Sequence, residues 1–308
     1  MNNQNSKLKH TVCAICGHDD VDTVVYEANF SLRDLNTEIF SARRLPDKLH
    51  YRMVRCSHDG LLRSDPVVSP EILEKLYEKS KFTYNTEVPN LTKTYLNALK
   101  PVLGQINKND AILEIGCGNG FILKALQDRG YTNVYGVEPS DSAIEQADHS
   151  LKKRILKGFF KKKLFPKKRF RLVIIFQTLD HILNPNTFLQ DIYDILESGG
   201  FVFAFQHDLG SLSAKILGEK SPIIDIEHTI LYEANTLRMI FARNGLLPVK
   251  TASEWNWLTL RYLSQLLPIK KGHKIAFLTT IKKGVLSKLF SLTIPLKLGN
   301  MSILAKRQ

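Results

Sequence analysis

The segment Ile112-Leu113-Glu114-Ile115-Gly116-Cys117-Gly118-Asn119-Gly120-Phe121 constrains this chain more than any other. A short apolar run gives way to glycine at alternate positions, and residues 121–126 then resume with helical spacing. The pattern predicts a strand, a sharp turn and a helix. Glycine suits the turn because it reaches conformations closed to other residues and lets the main chain approach a ligand unobstructed. The helix then aims its first amides at that ligand. A dinucleotide loop, G-x-G-x-x-G, would need glycine where Phe121 stands, so the spacing weighs against a nicotinamide cofactor. A second apolar run, residues 133–137, ends at Glu138. A carboxylate about twenty residues beyond such a loop accepts the hydroxyls of a ribose. The alternative is a surface glutamate opening a helix, which Pro139 and Ser140 also permit.

Further strand and helix signals alternate around this unit. Residues 111–115, 133–137, 172–176, 201–205, 247–249 and 301–305 read as strands, and residues 121–126, 188–196 and 236–243 as helices. The helix over 188–196 is expected to stop at a Gly199-Gly200 cap. Strands separated by helices imply an α/β fold with a Rossmann-like, doubly wound and mainly parallel sheet. The 308 residues suffice for that domain and a small appended module, and the 44% hydrophobic fraction supplies its core. The expected division is a module over 1–68, a helical linker or lid over 69–104, and the sheet domain over 105–308 with an insertion at about 254–298. No apolar run approaches the roughly 18 residues of a membrane span, and the first residues lack a secretion signal, so a cytoplasmic location is expected.

Four segments in order carry a resemblance. Residues 112–120 are similar to motif I of class I S-adenosylmethionine-dependent methyltransferases. Tyr135-Gly136-Val137-Glu138-Pro139-Ser140 resembles their second motif, Phe176-Gln177-Thr178-Leu179-Asp180-His181 their segment after the fourth strand, and Leu196-Glu197-Ser198-Gly199-Gly200 their L-K-P-G-G turn. The resemblance covers roughly residues 110–245. It implies that Glu114, Gly116, Cys117, Gly118 and Gly120 face the methionine part of S-adenosylmethionine, that Glu138 and Pro139 lie at its ribose, and that Gln177 sits between methionine and acceptor. Two positions depart from the family. Arg171 replaces an aspartate at the fourth strand, and Lys157-Gly158-Phe159-Phe160 lacks the usual acidic residue, leaving adenine to backbone groups and Phe159 or Phe160. Cys117 reads as a small packing residue rather than a nucleophile.

Cys13-x-x-Cys16-Gly17 has the spacing of a zinc knuckle. Its partner reads Cys56-Ser57-His58-Asp59-Gly60, so Cys56 would be the third ligand and Asp59, or neighbouring His58, the fourth. The alternative is a degenerate knuckle without metal. Gly60-Leu61 through Pro66, followed by Tyr77, Phe82 and Tyr84, resembles bacterial methyltransferases with N-terminal knuckles that act on sugars and other small metabolites. That likeness implies a structural zinc and a substrate-covering module.

The acceptor side is expected beyond the carboxyl ends of the strands, where His181, His207 and His228 are the candidate proton acceptors. The net charge of +13 favours an anionic partner. Residues 152–171 carry eleven Lys or Arg, a run that suits a solvated face, phosphorylated glycan or RNA. A small-molecule, glycan-related anionic acceptor is the leading expectation. An RNA methyltransferase and an inactive scaffold of the same fold are the alternatives, nucleic acid being the less favoured partner. Residues 285–292 read as a core-facing helix or one lying on a membrane surface, so peripheral membrane contact stays open.

Overall fold

The computed structural model describes residues 7–20, 22–32, 36, 47–266 and 291–308. The amino-terminal part holds β1 (Leu8–Lys9), β2 (Asp22–Tyr26), β3 (Met53–Cys56), β4 (Leu62–Ser64) and β5 (Val67–Val68), followed by α1 (Pro70–Glu78) and α2 (Val88–Leu103). Then come β6 (Ile112–Ile115), α3 (Phe121–Gln127), β7 (Val134–Glu138), α4 (Asp141–Glu145), β8 (Ile155–Lys157), β9 (Phe170–Phe176), α5 (Pro185–Ile195), β10 (Leu196–His207) and α6 (Leu212–Leu217). The chain continues with β11 (Ile230–Leu231), α7 (Ala234–Arg243), β12 (Leu246–Ser253), β13 (Asn256–Thr259), α8 (Leu260–Leu266), β14 (Thr293–Leu296) and β15 (Asn300–Arg307).

Seven strands form the main sheet in the order β12-β15-β10-β9-β6-β7-β8. β10, β9, β6, β7 and β8 run parallel, and β15 is antiparallel to both its neighbours. The fold is thus Rossmann-like and α/β. A parallel strand covered on both faces must be apolar throughout, and Leu172-Val173-Ile174-Ile175-Phe176 meets that demand. Its residues divide alternately between two cores. Leu172, Ile174 and Phe176 pack with α2 and α3, through Leu91, Tyr95, Leu99, Ile122 and Leu126. Val173 and Ile175 pack with α5 and α7, through Phe188, Ile192, Leu237 and Phe241. Cys13, Ala14, Ile15, Cys56 and Leu61 belong to this second core, so the amino-terminal cysteines seat on the α5–α7 layer.

A smaller antiparallel sheet has the order β11-β4-β3-β2. Its β11 comes from the excursion between β10 and α7, with Ile230 opposite Arg63 and Leu231 opposite Leu62. β13 and β14 pair antiparallel beside α2, where the Trp257 amide donates to Thr94 Oγ1 at 2.9 Å. Residues 267–290, with most of the expected 285–292 helix, lie outside the described residues.

One local expectation is corrected. Gly199 and Gly200 do not cap α5, which ends at Ile195 and passes directly into β10. They occupy a register shift between Leu196 and Phe201. A side chain at Gly200 would come within 2.9 Å of the Glu197 carbonyl, so the glycine lets the bulged strand rejoin the sheet. Arg171 fits the same junction, donating from its guanidinium to the Gly199 carbonyl at 3.0 Å.

Candidate active site

The loop after β6 turns through positive φ at Gly116 (73°), Gly118 (55°) and Gly120 (73°). A Cβ on Gly116 would meet Thr178 Oγ1 at 2.5 Å, and one on Gly118 would meet Phe82 at 3.1 Å. The glycines therefore hold a narrow gap between the loop, the end of β9 and the segment after α1. Phe82 packs on Tyr84 at a tilt of 42° with centroids 4.3 Å apart, and Ser140 Oγ donates to the Ser80 carbonyl at 2.8 Å, which ties that segment down over the loop.

Glu138 ends β7 inside this gap. Its Oε2 accepts from the Gly118 amide at 2.8 Å and its Oε1 from the Ser140 amide at 2.9 Å. Burial pushes its carboxyl up, and the two amides offset part of that. Each oxygen keeps a further lone pair for a ligand hydroxyl. Glu114 is more deeply enclosed, and burial followed by the charge of Glu138 raises its carboxyl well above the usual range. Among the described residues Glu114 Oε2, Asn119 Oδ1 and Gln177 Oε1 are buried without a hydrogen-bond partner. Three orphaned acceptors beside a bare glycine loop fit a ligand rich in donor groups, such as an amino acid joined to a nucleoside.

Gln177 takes a positive φ of 48°, rare for a residue with a side chain, and its amide donates to the Phe205 carbonyl at 2.7 Å. Pro139 follows Glu138 on the same rim. Gly158, after β8, donates its amide to the Glu138 carbonyl at 2.9 Å, which sets Phe159 half-buried just beyond. Phe160 packs edge-on to Phe188 in the core, so of the two phenylalanines Phe159 remains for the rim. Cys117 is buried under Gly136, where a Cβ would approach its sulfur to 2.5 Å. That contact accounts for a small residue at 117 and for glycine at 136.

The three histidines singled out in the sequence converge. His181 closes a short turn after β9, His207 ends β10, and His228 comes from the excursion toward β11. The rings of His228 and His207 lie 4.4 Å apart, and those of His228 and His181 5.0 Å. Asp180 stands among them, 1% exposed, with Oδ2 2.6 Å from His207 Nδ1. Burial works to raise the Asp180 carboxyl, but the His207 hydrogen bond and the nearby imidazoles hold it well below the usual carboxylate range. Burial pushes His181 down to about 4 against the pull of Asp180. Tyr77, from α1, meets His181 Nδ1 at 2.9 Å. Sequence reading missed Asp180 as the hub and the Tyr77 hydroxyl as a member. The only signal was that β9 and β10 are neighbours in a doubly wound sheet, which brings residues after them together.

Cys13, Cys16, Cys56 and Asp59 are also brought together, with ligand atoms all within 4.8 Å of one another. Cys13 Sγ is 3.1 Å from Asp59 Oδ2, and the Cys16 and Cys56 sulfurs are 3.5 Å apart. His58 instead makes an edge contact with His18 at 5.5 Å between centroids.

Residues 86–251, more than half of the chain, match the sequence profile of a methyltransferase domain. An uncharacterised methyltransferase of Schizosaccharomyces pombe is 29% identical over 167 residues, which are 49% of this chain and 55% of the relative. The mitochondrial ubiquinone biosynthesis O-methyltransferase of Homo sapiens is 31% identical over 128 residues, 37% of this chain and 32% of the relative. In both cases the similarity spans less than two thirds of the relative's own length. Among solved structures, a SAM-dependent methyltransferase from Archaeoglobus fulgidus has a TM-score of 0.48 at 18% identity, covering 72% of this chain and 98% of that one. Because the matched profile takes in the glycine loop, Glu138 and the strands that carry Asp180 and His207, the chain belongs to the methyltransferase domain family.

Proposed function

We propose that this chain transfers a methyl group from S-adenosylmethionine to a small, anionic acceptor of the sugar or glycan-related class. The convergence of three imidazoles and one buried carboxylate beside the glycine loop carries the reading, because a hydroxyl acceptor must lose a proton as it is methylated. The donor supplies an electrophilic methyl carbon. The remaining tasks fall to the chain. Glu138 takes the ribose hydroxyls, with Pro139 and Phe159 along the ribose and adenine. Gly116, Cys117, Gly118 and Gly120 offer main chain to the methionine part, and Glu114 and Gln177 offer their orphaned oxygens to its donor groups. Phe82 and Tyr84 exclude water from above, which keeps the reacting atoms aligned.

His207 is assigned the proton-accepting role on the acceptor, held in orientation by Asp180 through Nδ1. His181 and His228 line the same wall. Cys13, Cys16, Cys56 and Asp59 are assigned a structural zinc, for which three thiolates and one carboxylate are a suitable donor set. Asp59 rather than His58 is the fourth ligand on distance. Lys157 and Lys162 of the basic run pair with Asp141 and Asp194, both at 2.6 Å, and Lys168 lies 3.9 Å over the Tyr135 ring, which supports a solvated structural face there.

The test is calorimetry with S-adenosylmethionine, then a donor-dependent activity screen over nucleotide-sugars, glycan intermediates and RNA. Turnover is expected with a sugar-class acceptor. Transfer to RNA, with binding that weakens steeply as salt rises, would move the acceptor site to the 152–171 face. A folded chain that binds no donor would be a scaffold and would end the proposal.

A further inference from the structure

The acceptor wall contains a feature that proton transfer alone does not require. Asp180 is one of the most enclosed carboxylates among the described residues, and its two oxygens are treated differently. Oδ2 is engaged by His207 at 2.6 Å. Oδ1 is buried and has no hydrogen-bond partner among the described residues, while His181 Nε2 stands 3.7 Å away. That separation is too long for a hydrogen bond. It is close to the spacing of two ligands on one ion, since bonds of about 2.1 Å in tetrahedral geometry set neighbouring donors roughly 3.4 Å apart.

The two imidazoles beside it are oriented for the same purpose. His228 Nδ1 lies 2.8 Å from the Ile223 carbonyl. A carbonyl only accepts, so Nδ1 carries the hydrogen and Nε2 the lone pair. His181 Nδ1 is fixed by the Tyr77 hydroxyl at 2.9 Å, which turns Nε2 toward Asp180. Ligand atoms of Asp180, His181 and His228 all lie within 4.8 Å of one another. A ligating histidine typically has its other ring nitrogen held by a carbonyl, carboxylate or similar group, and a ligating carboxylate is itself hydrogen-bonded. His228 and Asp180 meet that condition through Ile223 and His207, and the Tyr77 hydroxyl holds the other ring nitrogen of His181 in place.

We propose that Asp180, His181 and His228 form a binding site for one divalent metal ion, distinct from the cysteine cluster. Two imidazoles and one carboxylate with positions left open suit manganese, iron, cobalt or zinc, rather than the all-oxygen shell of calcium. An ion held there would bind an acceptor oxygen and favour its ionised form. Metal binding itself does not depend on the methyl-transfer reading, and its test reads the ion alone.

The full chain is stripped with chelator, dialysed and titrated with Mn2+, the free ion being followed by electron paramagnetic resonance. Manganese is a poor partner for thiolates, so the cysteine cluster does not compete. One Mn2+ per chain is expected. His181→Gln and His228→Gln, which keep side-chain bulk, should each weaken binding at least tenfold. His207→Gln should weaken it by about ten- to a hundredfold as an outer partner, and His149→Ala, at an exposed site, should leave it unchanged. Circular dichroism melts establish that each variant is folded. Co2+ absorption is the second measurement: an ion with oxygen and nitrogen ligands shows visible bands without sulfur charge transfer, and these should vanish in both ligand variants. The proposal is overturned if neither Mn2+ nor Co2+ binds outside the cysteine cluster, or if uptake persists in both folded ligand variants.

Discussion

Glu114 and Glu138 are two buried carboxylates a strand apart, and their environments set them different tasks. Glu138 is held by two main-chain amides, and replacing it with alanine should lower affinity for S-adenosylmethionine about tenfold or more by calorimetry, since hydrogen bonds to a charged group contribute roughly 1.5–3 kcal/mol. An unchanged affinity in a folded sample would remove the ribose role. Glu114 has an orphaned oxygen, and its carboxyl is raised by burial first and by Glu138 second. A group whose folded-state value lies above its unfolded value stabilises the fold below the unfolded value and loses that contribution as pH rises through the folded one. Glu114→Gln should therefore gain stability relative to the parent as pH rises from about 4.5, read as a widening difference in urea midpoint, while it weakens donor binding. A difference that stays constant with pH would show that Glu114 does not titrate in this way. The glycines and Glu138 were legible in the sequence because each answers a local demand of backbone or spacing. Asp180 was not, because its partner His207 lies 27 residues away and only the strand order brings them together.

At the scale of elements, the alternating strands and helices were readable because a doubly covered strand has no room for polar residues, as 172–176 shows. The start of β10 was not readable. Gly199-Gly200 looks like a helix cap in sequence, and the bulge that uses it depends on the neighbouring strand's register. Close approach between elements gives a direct test at Gly136. Alanine there would place a carbon 2.5 Å from the Cys117 sulfur and should destabilise the chain by about 1–3 kcal/mol, the usual range for overpacking. Adding Cys117→Ala should recover part of the loss, because it removes the shortest contact while those to Leu123 and Ile155, at 3.0 and 3.2 Å, remain. Denaturant unfolding of both single variants and the double variant measures it, and strictly additive effects would rule out the contact.

For the whole molecule, the shared core joins the cysteine cluster to the α5–α7 layer. If zinc occupies Cys13, Cys16, Cys56 and Asp59, chelation should lower the melting temperature of the entire chain in one calorimetric transition. A separate early transition with the main one unmoved would mean that the amino-terminal part melts independently. The charge of +13 told of anionic partners without choosing among them, because net charge carries no geometry.

The two-residue strand Ile230–Leu231 has a consequence out of proportion to its length. It is zipped to the strand that follows the cysteine cluster, the Ser64 amide donates to the Thr229 carbonyl at 2.8 Å, and His228 is the next residue. The front of the chain thus acts as a jig for the segment that carries His228. Chimeras that exchange residues 1–68 between relatives should inherit acceptor preference along with the exchanged piece, even though none of the exchanged side chains is assigned to the chemistry.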